Sequence, residues 1–168
     1  WQIREASGKE LGLEINKEVD QRYDPIKSTE AACKYIKKAY EKFGNWTLVA
    51  ASYNRGVAGI RSDLEDNQVD NYYDAHLNDE TARYVFRILA IKEIFEHPEK
   101  YGFKLNPDHV YHPEELRTIE VHETIANLVT FAKQNGSNYK ILKRHNPWLR
   151  QPRLTVKKGK VYQILLPV

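Results

Sequence analysis

Two short segments carry polar, ring-bearing side chains where a buried core has no use for them. They are Ala51-Ser52-Tyr53-Asn54-Arg55-Gly56 and Glu80-Thr81-Ala82-Arg83-Tyr84-Val85. Each falls at the end or on the face of a stretch whose other positions are apolar. Asn and Tyr exchange hydrogen bonds with hydroxyls, and rings lie against flat C–H faces. The pattern therefore suits a groove that grips a sugar chain. Gln2, in the opening Trp1-Gln2, offers an amide to a hydroxyl or an N-acetyl group. Each residue also has a plain structural alternative. Asn54 at a helix end can serve as a C-cap, Tyr53 can be core, and Gln2 can be a solvated terminal side chain. Tyr84 borders the stripe Val85, Ile88, Leu89. A tyrosine there can lay its ring on the core and point its hydroxyl into a groove.

The elements that must position these groups read mainly as helices. Ile3 to Leu13 is a short helix that ends in a turn at Gly12. Asp24-Pro25 signals a start, with Ser28 or Thr29 as N-cap. The stripe Ala32, Tyr35, Ile36, Ala39, Tyr40, Phe43 has helical spacing, and it places Cys33 in the core. Gly44 ends that helix and Asn45 caps the next. The helix from Trp46 to Tyr53 is apolar all round, which marks it as buried and central. It delivers Tyr53 and Asn54 at its C-terminal end. A short helix is expected over 56–64. A long one, capped by Asp79, should run to about His97 with Val85, Ile88, Leu89, Ile91 and Phe95 on its buried side. Residues 117–122 and 161–166 read as strands. Between them, Ile125 to Ala132 and Tyr139 to His145 read as helices.

In the same order, Trp1-Gln2, Ser52-Tyr53-Asn54-Arg55-Gly56 and Glu80-Thr81-x-x-Tyr84-Val85 resemble motifs of the lytic murein transglycosylases, soluble and membrane-bound D type. Those enzymes carry Gly-Leu-Trp/Met-Gln, Ala-Tyr-Asn-x-Gly and Glu-Thr-x-x-Tyr-Val. The tail's strand–helix–helix–strand order, Asn146-Pro147 and the ending Gly159…Ile164-Leu165-Leu166-Pro167 resemble a LysM module, although His122-Glu123-Thr124 replaces the usual Gly-Asp-Thr. The resemblance implies a mainly α fold. A lysozyme-like helical transglycosylase domain would span 1–103, a linker 104–116, and a small α+β (βααβ) LysM-like module 117–168. It implies non-hydrolytic cleavage of the β-1,4 bond of peptidoglycan to a 1,6-anhydro sugar. Gln2, Tyr53, Asn54 and Tyr84 would hold substrate, and Trp148 would offer its ring to glycan from the module. The family's catalytic acid comes from a Glu-Ser motif that precedes the Gly-Leu-Trp-Gln stretch. That glutamate is expected upstream of Trp1, and the chain alone is expected to be inactive. No cofactor or metal is implied. The expected location is the periplasm or outer envelope of a bacterium, with membrane association through a preceding segment.

Composition narrows the rivals. Hydrophobic residues at 41% and charged residues at 29% are those of a globular protein, and no apolar run reaches the length of a membrane helix. The single cysteine excludes an internal disulfide framework. Charge is uneven. Residues 124–168 hold nine basic and no acidic side chains, while residues 1–123 have a balance of −6. A basic tail favours an anionic partner. His122-Glu123 begins a zinc-protease pattern, but the second histidine position is Ala126. Glu5, Glu10 and Glu80 are the carboxylates nearest the motifs. Glu5 and Glu10 read as solvent-facing, and Glu80 as compensating a helix dipole. Two other readings remain: a non-catalytic glycan-binding protein, and a nucleic-acid-binding tail in which the helices around Gly136 imitate a helix-turn-helix.

Overall fold

The computed structural model describes residues 1–168. The helices are α1 Glu5–Glu10, α2 Pro25–Phe43, α3 Trp46–Arg55, α4 Val57–Asn67, α5 Asp79–Glu96, α6 Leu128–Gln134 and α7 Tyr139–His145. The strands are β1 Leu116–Val121 and β2 Tyr162–Pro167. They pack as two units. One joins Trp1–Cys33 to His112–Val168, and the other is Lys34–Tyr111.

In the first unit, β1 and β2 pair antiparallel from Leu116 opposite Pro167 to Val121 opposite Tyr162. Helices α6 and α7 lie between them in sequence. Asn127 and Asn138 cap these helices, their side-chain oxygens accepting from Val129 and Thr130 and from Ile141 respectively. Such caps satisfy donors that a helix start leaves unpaired. Helix α6 thus begins later than the apolar period suggests. Ile125 instead forms a bridge with Leu154. Asn146 is fully buried. Its amide donates to the carbonyls of Leu142 (2.9 Å) and Leu165 (2.7 Å), and its oxygen accepts from Leu165 N–H (2.8 Å). One side chain therefore ties the end of α7 to β2.

The N-terminal segment completes this unit. Ile15 and Asp20 bridge across a turn in which the Asn16 side chain accepts from the amides of Glu18 and Val19. Val19 then bridges to Leu149. Asp20 N–H donates to Trp148 carbonyl (2.9 Å) and Arg150 N–H to Glu18 carbonyl (2.7 Å). Val19 is buried in the same core as Leu128, Leu142, Leu149, Leu154, Ile164 and Leu166. The acidic side chains of this hairpin meet the basic tail. Glu18 accepts from Arg153 (2.8 Å) and from Thr155 N–H (2.7 Å), while Glu14 accepts from Tyr162 hydroxyl (2.9 Å) and pairs with Lys160 (2.6 Å). Arg150 lies over the Tyr23 ring. Part of the tail's positive charge is thus neutralised within the chain.

In the second unit, α3 packs on α4 and α5 around Leu48, Ala51, Ile60, Tyr72, Leu77 and Val85. Four expectations are corrected here and on α2. The start of α2 is capped by Asp24, whose carboxylate accepts from Ile26 and Lys27, and Ser28 and Thr29 lie inside the first turn. Cys33 is exposed, because it falls beside the buried Ala32 rather than on the stripe. Helix α3 is not buried all round. Trp46 is 60% exposed at its first turn and stacks on Tyr40, ring centroids 4.2 Å apart. The apolar face of α5 is buried only at Val85; Ile88, Leu89, Ile91 and Phe95 are exposed. The stripe is real, but only its first turns meet packed neighbours.

Candidate glycan-binding groove

Helix α3 is fixed at both ends. Asn45 accepts from Thr47 N–H (2.9 Å) and Leu48 N–H (3.1 Å) at its start. Gly56, at φ 85°, ends it and donates to Ser52 carbonyl (2.8 Å). That conformation favours glycine. Gly56 therefore does the capping, which releases the Asn54 side chain for another use. Asn54 is exposed at the last turn. Its side-chain oxygen accepts from the Thr81 hydroxyl, 2.9 Å away at the start of α5.

The tyrosines gather beside it. Tyr35 and Tyr53 meet edge to face, with centroids 5.6 Å apart, and the Tyr35 hydroxyl donates to Ser52 carbonyl (3.1 Å). Burial raises the pKa of Tyr53, and the neighbouring Tyr84 and Tyr35 phenols raise it further. Burial also raises the pKa of Tyr35. Both phenols therefore stay neutral and able to donate well above physiological pH. Tyr53 and Tyr84 are each half-buried. This suits a ring that rests on apolar neighbours while its hydroxyl stays reachable.

The start of α5 is held just as firmly. Asn78, rather than the expected Asp79, caps it through Thr81 N–H (3.0 Å), Asp79 being the first residue inside the helix, and the buried Tyr72 donates its hydroxyl to the carbonyls of Thr81 (2.8 Å) and Ala82 (2.7 Å). Glu80 lies in the exposed first turn and pairs with Arg87 at 2.7 Å, a surface contact. Sequence reading passed over Thr81 and Tyr72. Thr81 stands inside a recognised motif, but nothing local shows that its hydroxyl meets Asn54, 27 positions earlier.

Of the other sequence-predicted residues, Gln2 belongs to the first unit. It is exposed, with a left-handed φ of 54°. The Trp1 indole N–H beside it donates to Thr29 hydroxyl at 2.7 Å. Trp148 is only 5% exposed and stacks on Tyr162, with centroids 5.7 Å apart. Its backbone carbonyl receives the hairpin. In this arrangement Trp148 is a core residue and presents no open face. An open groove of about 570 Å³ lies instead along the other loop of the module, by His122, Glu123, Thr124, Asn127, Thr130 and Gln134.

Residues 1–75 match the transglycosylase SLT domain family, and residues 117–168 match the C-terminal LysM-like domain of soluble lytic transglycosylases. The chain thus joins a region of the SLT transglycosylase domain type to a C-terminal LysM-like domain. It is homologous to the membrane-bound lytic murein transglycosylase D of Escherichia coli strain K12, and equally to that of Escherichia coli O6:H1 strain CFT073. Each is 30% identical over 110 residues, which is 62% of this chain and 24% of the relative. The chain therefore spans about a quarter of the length of these relatives. The SLT match runs across the division between the two packing units. No helix is long and apolar enough to cross a membrane.

Proposed function

We propose that this chain supplies the sugar-holding part of a lytic transglycosylase that acts on the β-1,4-linked glycan of peptidoglycan, in the periplasm or outer envelope. The observation that carries this reading is that the two motifs meet: Asn54 bonds Thr81 at the start of α5, and Tyr53 neighbours the Tyr84 phenol. Asn54 provides an amide for the sugar. The Tyr84 hydroxyl orients the sugar or the acid; Gln2, in the other unit, is proposed separately as an amide contact to the glycan. In the reaction, one glutamic acid protonates the leaving glycosidic oxygen. As carboxylate it then takes the proton of the substrate's own C6 hydroxyl, whose oxygen attacks the anomeric carbon. The glycosidic bond breaks, a 1,6-anhydro ring forms, and no water is consumed.

A general acid of this kind needs a pKa raised toward working pH by a poorly solvated site. The carboxyls of this chain with resolved shifts move the other way. Glu5 is lowered by its hydrogen bond to Lys9, Glu18 by Thr155 N–H, Asp20 by Arg22 and Glu93 by Lys100. None of these four carboxyls is poised as that acid. The LysM-like module adds glycan contact through its His122–Thr124 loop.

Intact sacculi incubated with the 168-residue chain, and with a form extended upstream through a Glu-Ser motif, would be digested and read by mass spectrometry. Anhydro products are expected from the extended form alone. Anhydro products from the short chain would place the acid inside it. Binding without products from either form would favour a glycan-binding protein. In the active form, Tyr84→Phe should lower turnover roughly 5- to 150-fold with little change in melting temperature.

A further inference from the structure

Thr81 is fully buried, although it sits in the first turn of a helix whose other early residues, Asp79 and Glu80, are exposed. Every polar group it has is committed. Its N–H goes to Asn78, its carbonyl accepts from Tyr72, and its hydroxyl lies 2.9 Å from the Asn54 side-chain oxygen. The same hydroxyl is 3.2 Å from the Asn78 oxygen, which already accepts the Thr81 N–H. A hydroxyl has one proton to give, and the shorter contact, to the Asn54 oxygen, takes it. Threonine's branched Cβ is stiff at χ1, so the position of the hydroxyl oxygen is set by the backbone of α5.

An asparagine side chain is ambiguous by itself, because its oxygen and its amino group are nearly the same shape. Which end faces a ligand decides whether it donates or accepts. We propose that Thr81 is the positioning residue of the groove. By holding Asn54 through its carbonyl oxygen, it turns the amide NH2 outward as a donor toward the acceptor oxygens of the glycan, such as an N-acetyl carbonyl or a ring or glycosidic oxygen. The proposal rests on the reading of Asn54 as a sugar contact. It adds that the groove selects acceptors at this point, and that the selectivity is built 27 residues away in sequence. Tyr72 and Asn78 act one step further back, by fixing the turn that carries Thr81.

The test uses side-chain amide NMR of the full chain, titrated with a β-1,4-linked N-acetylglucosamine tetramer. In the unaltered chain, the two Asn54 NH2 signals should move on titration. Thr81→Val, which keeps the shape and removes the hydroxyl, should weaken tetramer binding roughly 3- to 10-fold and shift the Asn54 signals even without ligand. Thr81→Ser should restore both. Asn54→Asp keeps an oxygen for Thr81 but replaces the outward donor with a second oxygen, and it should lose binding as fully as Asn54→Ala. Thr81→Ala, run beside the valine variant, covers the case in which a methyl group in the hydroxyl's place disturbs folding. Wild-type affinity in Thr81→Val with loss in Asn54→Ala would overturn the positioning role, as would unchanged ligand-free Asn54 signals in both Thr81 variants. Tetramer binding that leaves Asn54 unmoved would overturn the sugar reading, while the ligand-free spectra would still judge the orientation.

Discussion

In the module, Leu128, Leu142, Leu149, Leu154, Ile164 and Leu166 lie fully inside. On α5, Ile88, Leu89, Ile91 and Phe95 stand in solvent, Phe95 at 80% exposure. The α5 residues, and in the module Leu128, Leu142, Ile164 and Leu166, fall on apolar periods in the sequence. Periodicity states which face wants to be covered and says nothing about what covers it. In the module the cover includes a hairpin from the opposite end of the chain, with Val19 seated in the core. A unit of some 50 residues gains stability from such an addition, because so short a chain buries little surface alone.

The contrast breaks most sharply at single core positions. Leu149→Ala removes a fully buried side chain at the bridge to Val19. It should cost about 2–5 kcal/mol in urea unfolding, whereas Ile91→Ala should stay within about 0.5 kcal/mol. If the two cost the same, the α5 face is covered in solution and the comparison fails. Asn146→Ala tests the polar side of the same core. It leaves Leu165 N–H and the carbonyls of Leu142 and Leu165 without the partner that now serves all three, at about 1–3 kcal/mol. A neutral result would mean that the end of α7 is held to β2 by apolar packing alone.

The legible parts of the fold were those carried by local rules. The β–α–α–β order of the tail, the helix through Phe43 and the glycine after Asn54 follow from period and punctuation. The motif tyrosines could be singled out because rings and polar tips recur where a core needs neither. Three features depended on partners outside their own element and could not be read locally: the stacking of Trp46 on Tyr40, the Thr81–Asn54 bond and the burial of Trp148. The charge asymmetry was a usable hint. A tail with nine basic and no acidic side chains called for acids somewhere, and Glu14 and Glu18 of the hairpin were candidates within the chain.

The smallest expected effect sharpens the comparison on that electrostatic seam. Glu18 is partly buried and accepts from Thr155 N–H and from Arg153. Its pKa is lowered, first by the Thr155 N–H and then by the Thr155 hydroxyl and Arg153 side-chain bonds, against an opposing push from burial. A carboxyl depressed in the folded state contributes stability above its unfolded pKa of about 4.3, and loses it as pH falls through the folded value. Glu18→Gln keeps the shape and removes the charge, so it should cost about 1–2 kcal/mol at pH 7. The gap between the two proteins should narrow steadily in urea unfolding as pH drops from about 5 toward the acid limb. A gap that stays constant with pH would mean that the hairpin is held by Val19 and the backbone bonds to Trp148 and Arg150. The acidic side chains would then follow the docking without driving it.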